Sequence, residues 1–340
     1  MSNEGRTRQA ALSRDGFRRP VVYDGSKGVY LSARLPAAGR SPSDASEWLN
    51  LLSPEAVRQM HREYIDAGSQ IIQTNTFNGN RLRLEVYGLE DRVREVNLAA
   101  ARLAREAAGE EALVAGTVGP SGKLLAMGEV DERGLVDIFA EQAAALAEGG
   151  VDLFHVETMA DLAEARAAVE GVRRASDLPL LLTMSFDTGK PEALRTMMGV
   201  TPAQLVEAAG EMGLFGLGAN CGRGLEGYQE VVEALAQAQP EGVLIAKFNA
   251  GIPGWREARW CTTAPRSGWP PTPSGAPRTA SASSGAAAGA RPATSRLWPE
   301  PLSRLHSPTT LARRSTGGAY RRAVFAPRGK RPDAEGECLR

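Results

Sequence analysis

The chain has 340 residues, of which 40 are basic, 40 are acidic and 42% are hydrophobic. These values are typical of a globular protein with one large domain or two ordinary ones. No stretch approaches the ~18 apolar residues of a membrane span, and residues 1–20 lack an apolar core, so the sequence predicts neither a membrane segment nor a signal peptide. Three cysteines do not make a disulfide framework, which favours a reducing, cytoplasmic compartment.

The balanced net charge conceals two differently composed segments. Residues 258–340 carry 14 basic and 4 acidic side chains and 11 of the 21 prolines, whereas residues 1–257 carry 26 basic and 36 acidic side chains. Residues 260–301 mix Pro, Ser, Ala, Gly, Thr and Arg without an apolar pattern, which is typical of a disordered linker. We therefore predict an N-terminal arm (1–19), a folded part (20–257) and an aberrant, disordered tail (258–340).

The folded part alternates short apolar runs with longer amphipathic stretches. The runs are rich in Val, Ile and Leu, as buried parallel strands are, and lie at 21–24, 71–77, 113–118, 153–158, 180–186, 215–221 and 243–249. Helical patterns separate them at 53–67, 91–108, 137–148, 160–175, 201–212 and 227–238. Ser53-Pro54 and Thr201-Pro202 each place a capping residue before a proline at the first helical position, and His61 is predicted at a helix surface.

Seven strands that alternate with helices indicate a parallel sheet, either doubly wound or closed into a barrel. A doubly wound sheet usually has a G-x-G-x-x-G turn after its first strand, whereas this chain has DGSKG at 24–28. Because strand ends meet at one mouth of a barrel, we predict an α/β fold, a (β/α)8 TIM barrel that is incomplete, with strands 1–7 present and strand 8 and the last helices missing. The polar residues at the strand ends are Asp24, Asn75, Thr117, Glu157, Ser185, Asn220 with Cys221, and Asn249.

Three of these strand ends carry residues suited to chemistry. Cys221 is either a small core residue or a functional thiol, and its place before a glycine-rich turn favours function. Glu157 ends an apolar strand, where a carboxylate needs a cationic or donor partner, so it either binds substrate or forms a structural ion pair. Asp24-Gly25 forms either a plain turn or a turn that presents backbone N–H groups to an anionic ligand. His155 is assigned to the core.

Six short motifs occur along the chain in one order: Asp24-Gly25, IIQTNTF at 71–77, GPSG at 119–122, VETM at 156–159, TMSF at 183–186 and GANCG at 218–222. The chain is similar in this respect to the homocysteine S-methyltransferases, which include betaine–homocysteine methyltransferases and the homocysteine module of cobalamin-dependent methionine synthases. The resemblance covers residues 20–257 and implies a zinc-dependent enzyme that moves a methyl group to the thiol of homocysteine, giving methionine.

The resemblance also implies a ligand set and a substrate site. Zn²⁺ is expected to be held by Cys221 and by two thiolates from a Gly-Gly-Cys-Cys-Gly motif on the eighth strand, leaving a fourth position where a homocysteine thiol loses its proton. Asp24, Gly25, Ser26 and Glu157 are expected to contact the amino-acid end of homocysteine. The methyl donor stays open between a betaine-like onium compound, S-methylmethionine and methylcobalamin, and the last requires a corrinoid protein as partner.

The tail departs from this family pattern. Only Cys261 and Cys338 follow Cys221, so the chain has no Cys-Cys pair. With suitable codons, a one-base shift of the reading frame turns residues 259–267 into Leu-Val-Tyr-Asp-Gly-Thr-Pro-Glu and residues 284–290 into Gly-Gly-Cys-Cys-Gly-Ser. We therefore interpret the tail as out of frame from about Glu257, and we expect this chain to be inactive because two zinc ligands are missing.

Two other interpretations remain. The partial barrel could bind an amino acid through Asp24 and Glu157 without catalysis. The basic tail could be a nucleic-acid-binding arm, but a frame change produces the same charge without any partner, so we predict no nucleic-acid and no membrane partner. The expected partners are homocysteine, a methyl donor and, for methylcobalamin, a corrinoid protein.

Overall fold

A computed structural model describes residues 20–223, 227–238 and 243–249, together with the backbone of three short segments at 254–256, 259–261 and 279–282. The predicted N-terminal arm and most of the predicted tail lie outside these residues. Among the helices of the described part, none is long and apolar enough to cross a membrane.

The seven predicted strands are all present and form one parallel sheet. Each strand pairs with the next one along the chain, from the first to the seventh. The run predicted at 71–77 is shorter as a strand, since β2 ends at Gln73. The strands are β1 (Val21–Tyr23), β2 (Ile71–Gln73), β3 (Leu113–Val118), β4 (Leu153–Met159), β5 (Leu180–Met184), β6 (Gly216–Cys221) and β7 (Val243–Phe248).

Three short strands follow β7, and the last two of them lie in the tail (258–340) that was predicted to be disordered. β8 (Gly254–Arg256) and β9 (Arg259–Cys261) form a separate antiparallel pair. β10 (Thr279–Ala282) pairs in parallel with both β1 and β7 and closes the sheet into a barrel. The incomplete barrel is thus confirmed in its seven strands, but the gap predicted at strand 8 holds this four-residue segment. Pairing uses backbone groups that every non-proline residue carries, so two open strand edges accept a segment without an apolar pattern.

Helices cover the outside of the sheet, and several begin at side-chain caps. Asp131 and Asp161 accept hydrogen bonds from first-turn N–H groups, and Thr201 forms a capping box with Gln204, as its place before Pro202 predicts. The helices are α1 (Lys27–Ser32), α2 (Leu49–Leu52), α3 (Pro54–Asp66), α4 (Arg81–Glu85), α5 (Val93–Ala108), α6 (Glu132–Glu148), α7 (Leu162–Ala175), α8 (Pro202–Met212) and α9 (Tyr228–Ala238). Short 3-10 turns lie at Pro36–Ala38, Ser46–Trp48, Glu90–Arg92, Leu125–Met127 and Pro191–Ala193.

Two apolar layers lie on either side of the sheet. The larger one fills the space between strands and helices, with Ile72, Val114, Phe154 and Leu182 among its members. The smaller one fills the bottom of the barrel. Because side chains alternate along a strand, the interior positions above this layer belong to the polar residues two and four places further on. The interior layer consists of Tyr23, Ile71, Ala115, Leu153, Leu181, Val243 and Ile245.

His61, predicted at the surface, is instead fully buried on α3. Val57, Met60 and Tyr64 are buried as well, and their spacing of three and four residues places position 61 on the same helix face. The prediction is therefore wrong because it was made from residue type and ignored the helical period.

Candidate active site at the barrel mouth

Asp24 follows β1 and is fully buried at the carboxyl end of the barrel. Its Oδ2 accepts a 2.7 Å hydrogen bond from the backbone N–H of Gln73 in β2. Lys247 Nζ, from β7, lies 3.6 Å from Oδ1, and Lys27 Nζ, from the first turn of α1, lies 4.0 Å from Oδ2. The buried aspartate therefore has an ammonium group beside each carboxylate oxygen, which offsets the cost of its burial.

Glu157 comes from β4 and is 7% exposed. Burial raises the pKa of Glu157, but the ammonium groups of Lys247 and Lys27 outweigh it and bring the pKa to about 2. Burial also lowers the pKa of Lys247, while Asp24 and Glu157 act in the opposite direction. The mouth thus contains a charge cluster of two carboxylates and two ammonium groups, Asp24, Glu157, Lys27 and Lys247.

Cys221 ends β6 and faces Thr158 at the end of β4. Both residues have a positive φ, 60° for Cys221 and 62° for Thr158, and they are the non-glycine residues with this conformation in the described part of the chain. The hydroxyl of Thr158 lies 3.9 Å from Cys221 Sγ. A β-branched residue is strained at positive φ by roughly 1–3 kcal/mol, and such strain persists where the surrounding structure holds it. The two strained residues are Cys221, which carries the thiol, and Thr158, which faces it.

Asn220 ties these two strained residues together. Its Nδ2 donates to Cys221 Sγ over 3.3 Å and to Thr158 Oγ1 over 2.6 Å. Its Oδ1 accepts from the backbone N–H of Thr158 over 3.0 Å and from Thr183 Oγ1 over 2.7 Å. The side chain of Asn220 therefore fixes the thiol relative to β4 and β5.

His155 lies below the mouth, fully buried as its core assignment predicts. Its Nδ1 is 3.2 Å from Gln73 Nε2, and its Nε2 is 2.9 Å from Thr183 Oγ1. Burial lowers the pKa of His155 to about 3, although the nearby Glu157 acts against this. The ring is therefore neutral at physiological pH and bridges β2 and β5.

The predicted site residues lie around one mouth, but their surroundings differ. Asp24 and Glu157 share the two lysines, and Gly25 is buried beside Asp24. The hydroxyl of Ser26 caps α1 by accepting from Val29 N over 3.5 Å. Lys27 and Lys247 were missed. The signal for Lys247 was a lysine inside an otherwise apolar strand, where a charged residue needs buried partners.

A zinc site requires more ligands than the described residues of this mouth offer. Cys221 is the free cysteine in the described part, and no three His, Cys, Asp or Glu side chains come together there as a metal site. Burial, followed by the charge of Glu157, raises the pKa of the Cys221 thiol. The described residues therefore do not fit an ion held by three thiolates.

The fold and the mouth define a class of protein, a barrel enzyme with its site at the carboxyl ends of the strands. Residues 21–275 match the profile of the family described as homocysteine S-methyltransferase. The methionine synthases of Mycobacterium leprae and Mycobacterium tuberculosis are 30% and 29% identical over 248 residues, which is 69% of this chain and 20% of each relative. The chain thus spans about a fifth of the length of these curated relatives.

Solved structures show the same fold. The metallated form of the homocysteine methyltransferase MmuM from Escherichia coli has a TM-score of 0.63 at 19% identity, covering 84% of this chain and 97% of that chain. Its oxidised form has a TM-score of 0.62 at 20% identity, covering 87% and 98%. The chain belongs to the homocysteine S-methyltransferase family, and by family it is an enzyme. The resemblance of the six motifs is thereby confirmed.

Proposed function

We propose that this barrel is built for methyl transfer to the thiol of homocysteine, giving methionine. The observation that carries the proposal is that one thiol, Cys221, lies at the same barrel mouth as the charge cluster. An amino acid such as homocysteine has an ammonium group and a carboxylate of its own. Two buried carboxylates and two buried ammonium groups complement both ends of such a zwitterion.

The family resemblance implies which residues would hold the substrate. Asp24 and Glu157 would bind the α-ammonium group, and the backbone N–H groups of Gly25 and Ser26 would face the α-carboxylate. Their burial supports the assignment because charge–charge contacts strengthen when water is excluded. The Ser26 hydroxyl is already used as a helix cap, so we assign its backbone alone to the substrate.

Zinc is part of the proposal for the enzyme with a restored reading frame and not for the described residues, which offer one cysteine thiol. The shifted reading frame places its Gly-Gly-Cys-Cys-Gly-Ser segment at 284–290, directly after β10, which occupies the eighth position of the barrel. The chain length between β7 and this segment is therefore compatible with two thiolates arriving at the mouth beside Cys221. We propose that the 340-residue chain does not bind zinc and does not transfer methyl groups.

Metal analysis and assay of two proteins test this proposal. The chain as it stands is compared with a protein whose frame is restored near codon 257, each with homocysteine and a betaine-like donor, S-methylmethionine or methylcobalamin on a carrier protein. We expect one zinc per chain and methionine formation in the restored protein alone. No methionine from any donor would refute the methyltransferase, and zinc with activity in the unrestored chain would refute the frame change.

We propose the methyl donor and the partner protein only by their chemical class. The methionine synthases matched here are about five times longer than the matched segment, so a methyl-carrying partner protein is one candidate source of the methyl group. A cytoplasmic location remains our proposal from the scarcity of cysteines.

A second candidate function is amino-acid binding without catalysis. It is favoured by one observation: the charge cluster of two carboxylates and two ammonium groups is complete in the described residues. Calorimetry of the 340-residue chain with homocysteine and with methionine in the presence of a chelator tests it. Saturable binding of both supports this function, and no heat of binding from either rules it out.

A further inference from the structure

A continuous hydrogen-bonded path crosses the barrel interior from the charge cluster to the thiol. It runs from Lys247 to the Gln73 amide, then to the His155 ring, the Thr183 hydroxyl, the Asn220 amide and Cys221 Sγ. The first five residues are buried, with Gln73, His155 and Thr183 fully inaccessible. The path joins strands β7, β2, β4, β5 and β6, so it uses the interior of most of the barrel.

The lysine end of this path fixes the direction of its first two hydrogen bonds. Lys247 and Lys27 Nζ both contact Gln73 Oε1, Lys27 at 3.2 Å, and an ammonium group donates and never accepts. The atom facing the lysines is therefore the amide oxygen of Gln73. Its NH₂ group has two protons: one is donated to Thr117 Oγ1 over 3.1 Å, and the other faces His155 Nδ1, which accepts and carries no proton.

The other end of the path is fixed independently. The backbone N–H of Thr158 donates to Asn220 over 3.0 Å, so the atom that it faces is the amide oxygen Oδ1. Thr183 Oγ1, 2.7 Å from this oxygen, must donate its one proton to it. His155 Nε2 must therefore carry a proton and donate to Thr183 over 2.9 Å. Both ends require the same Nε2–H tautomer of His155.

We propose that Lys247, Gln73, His155, Thr183 and Asn220 form a one-way hydrogen-bond chain that positions Cys221 Sγ. Every donor in the chain points from the ammonium group toward the sulfur, so each bond polarises the next. The last donor, the amide N–H of Asn220, is aimed at Sγ, and the Thr158 hydroxyl lies 3.9 Å from Sγ. The chain therefore holds the sulfur in one position and places an N–H donor against it.

The tautomer provides the first test, and it uses the unaltered 340-residue protein. Ring ¹⁵N spectra of His155, assigned by the loss of signals in His155→Gln, are expected to show a neutral ring protonated on Nε2. A ring protonated on Nδ1 would overturn the proposal, because the two ends of the chain could not then be connected in one direction.

The second test interrupts the chain in the middle. Thr183→Val removes the hydroxyl and keeps the shape, Thr183→Ser keeps the hydroxyl, and Thr196→Val removes a buried hydroxyl outside the chain. The rate of Cys221 alkylation by iodoacetamide, followed on its own peptide by mass spectrometry, is expected to fall about three- to tenfold in Thr183→Val, the effect of one net hydrogen bond. Thr183→Ser and Thr196→Val are expected to stay within about twofold of the unaltered protein.

Equal rates in Thr183→Val and Thr183→Ser would overturn the proposal, as would an equal loss in Thr196→Val, which would indicate general loosening. Neither test involves homocysteine or a methyl donor. The outcomes of both tests are therefore distinguishable from the success or failure of the proposed methyl transfer.

Discussion

At the scale of single residues, Lys247 determines whether the buried charges of the mouth are compensated. It lies between Asp24, at 3.6 Å, and the Gln73 amide, and its charge lowers the pKa of Glu157. Lys27 is the other ammonium group of the cluster, and it stands 4.0 Å from Asp24. Removing Lys247 therefore leaves two buried carboxylates with one cation.

Lys247→Met keeps the length and apolar stem of the side chain but removes its charge. We expect the free energy of unfolding to fall by about 3–5 kcal/mol, the cost of breaking a buried ion pair from one side. Urea denaturation at neutral pH measures the loss. The control is Lys190→Met, at an exposed position, for which a change within about 0.5 kcal/mol is expected. Adding Glu157→Gln should restore part of the stability, and similar losses in both lysine variants would contradict the argument.

Glu157→Gln tests the substrate role of the carboxylate. The amide keeps the shape of the side chain but cannot form a charge-assisted hydrogen bond with an ammonium group, so we expect homocysteine binding to weaken about 10- to 100-fold. Calorimetry on the 340-residue chain measures the affinity, with Glu233→Gln on the exposed face of α9 as control. Unchanged affinity in Glu157→Gln would remove this residue from the proposed site.

At the scale of elements, β6 packs closely against β7 at a glycine. A methyl group on Gly218 would overlap the backbone carbonyl of Ile245, its partner in β7. Both strands support the mouth, since β6 ends in Cys221 and β7 carries Lys247. The closeness of this pair is therefore part of what brings the thiol and the charge cluster together.

Gly218→Ala is expected to lower the free energy of unfolding by about 1–3 kcal/mol, because the backbone of one strand must move. Gly210→Ala on α8 is the matched control, since a methyl group there meets no atom within 4 Å. In a helix, this control is expected to stabilise by about 0.5–1 kcal/mol. Chemical denaturation of both variants gives the two signs, and stabilisation by Gly218→Ala would contradict the close approach.

Elements and site residues were predictable from the sequence to different degrees. Apolar runs predict all seven strands because parallel strands are buried on both faces, and the residues following them lie at the mouth. The lysines were not predicted because pairing across the barrel joins residues 24, 27, 157 and 247, which no local pattern connects. β10 was not predicted because backbone pairing at open edges leaves no signature in side chains.

At the scale of the whole molecule, two buried histidines make stability depend on pH. Burial lowers the pKa of both His61 and His155 to about 3, whereas an unfolded histidine titrates near 6.5. As pH falls from 6.5 toward 3, the unfolded chain takes up protons that the folded chain does not, so stability is lost in this window. Glu157 adds to the loss below 4.5, whereas Glu47 and Glu164, whose pKa values burial raises, act in the opposite direction.

His61 allows this pH dependence to be isolated, because neither ring nitrogen has a hydrogen-bond partner and Lys27 is the charged group that adds to the effect of burial on its pKa. His61→Leu has a similar volume and cannot be protonated. Between pH 7 and pH 5 we expect the unaltered chain to lose about 2 kcal/mol through this residue, and we expect the variant to avoid that loss. The variant should also be more stable at pH 7, since two buried polar atoms without partners are removed. Urea denaturation at both pH values measures the difference, and an equal acid-induced loss in the two proteins would show that His61 is protonated in the folded barrel.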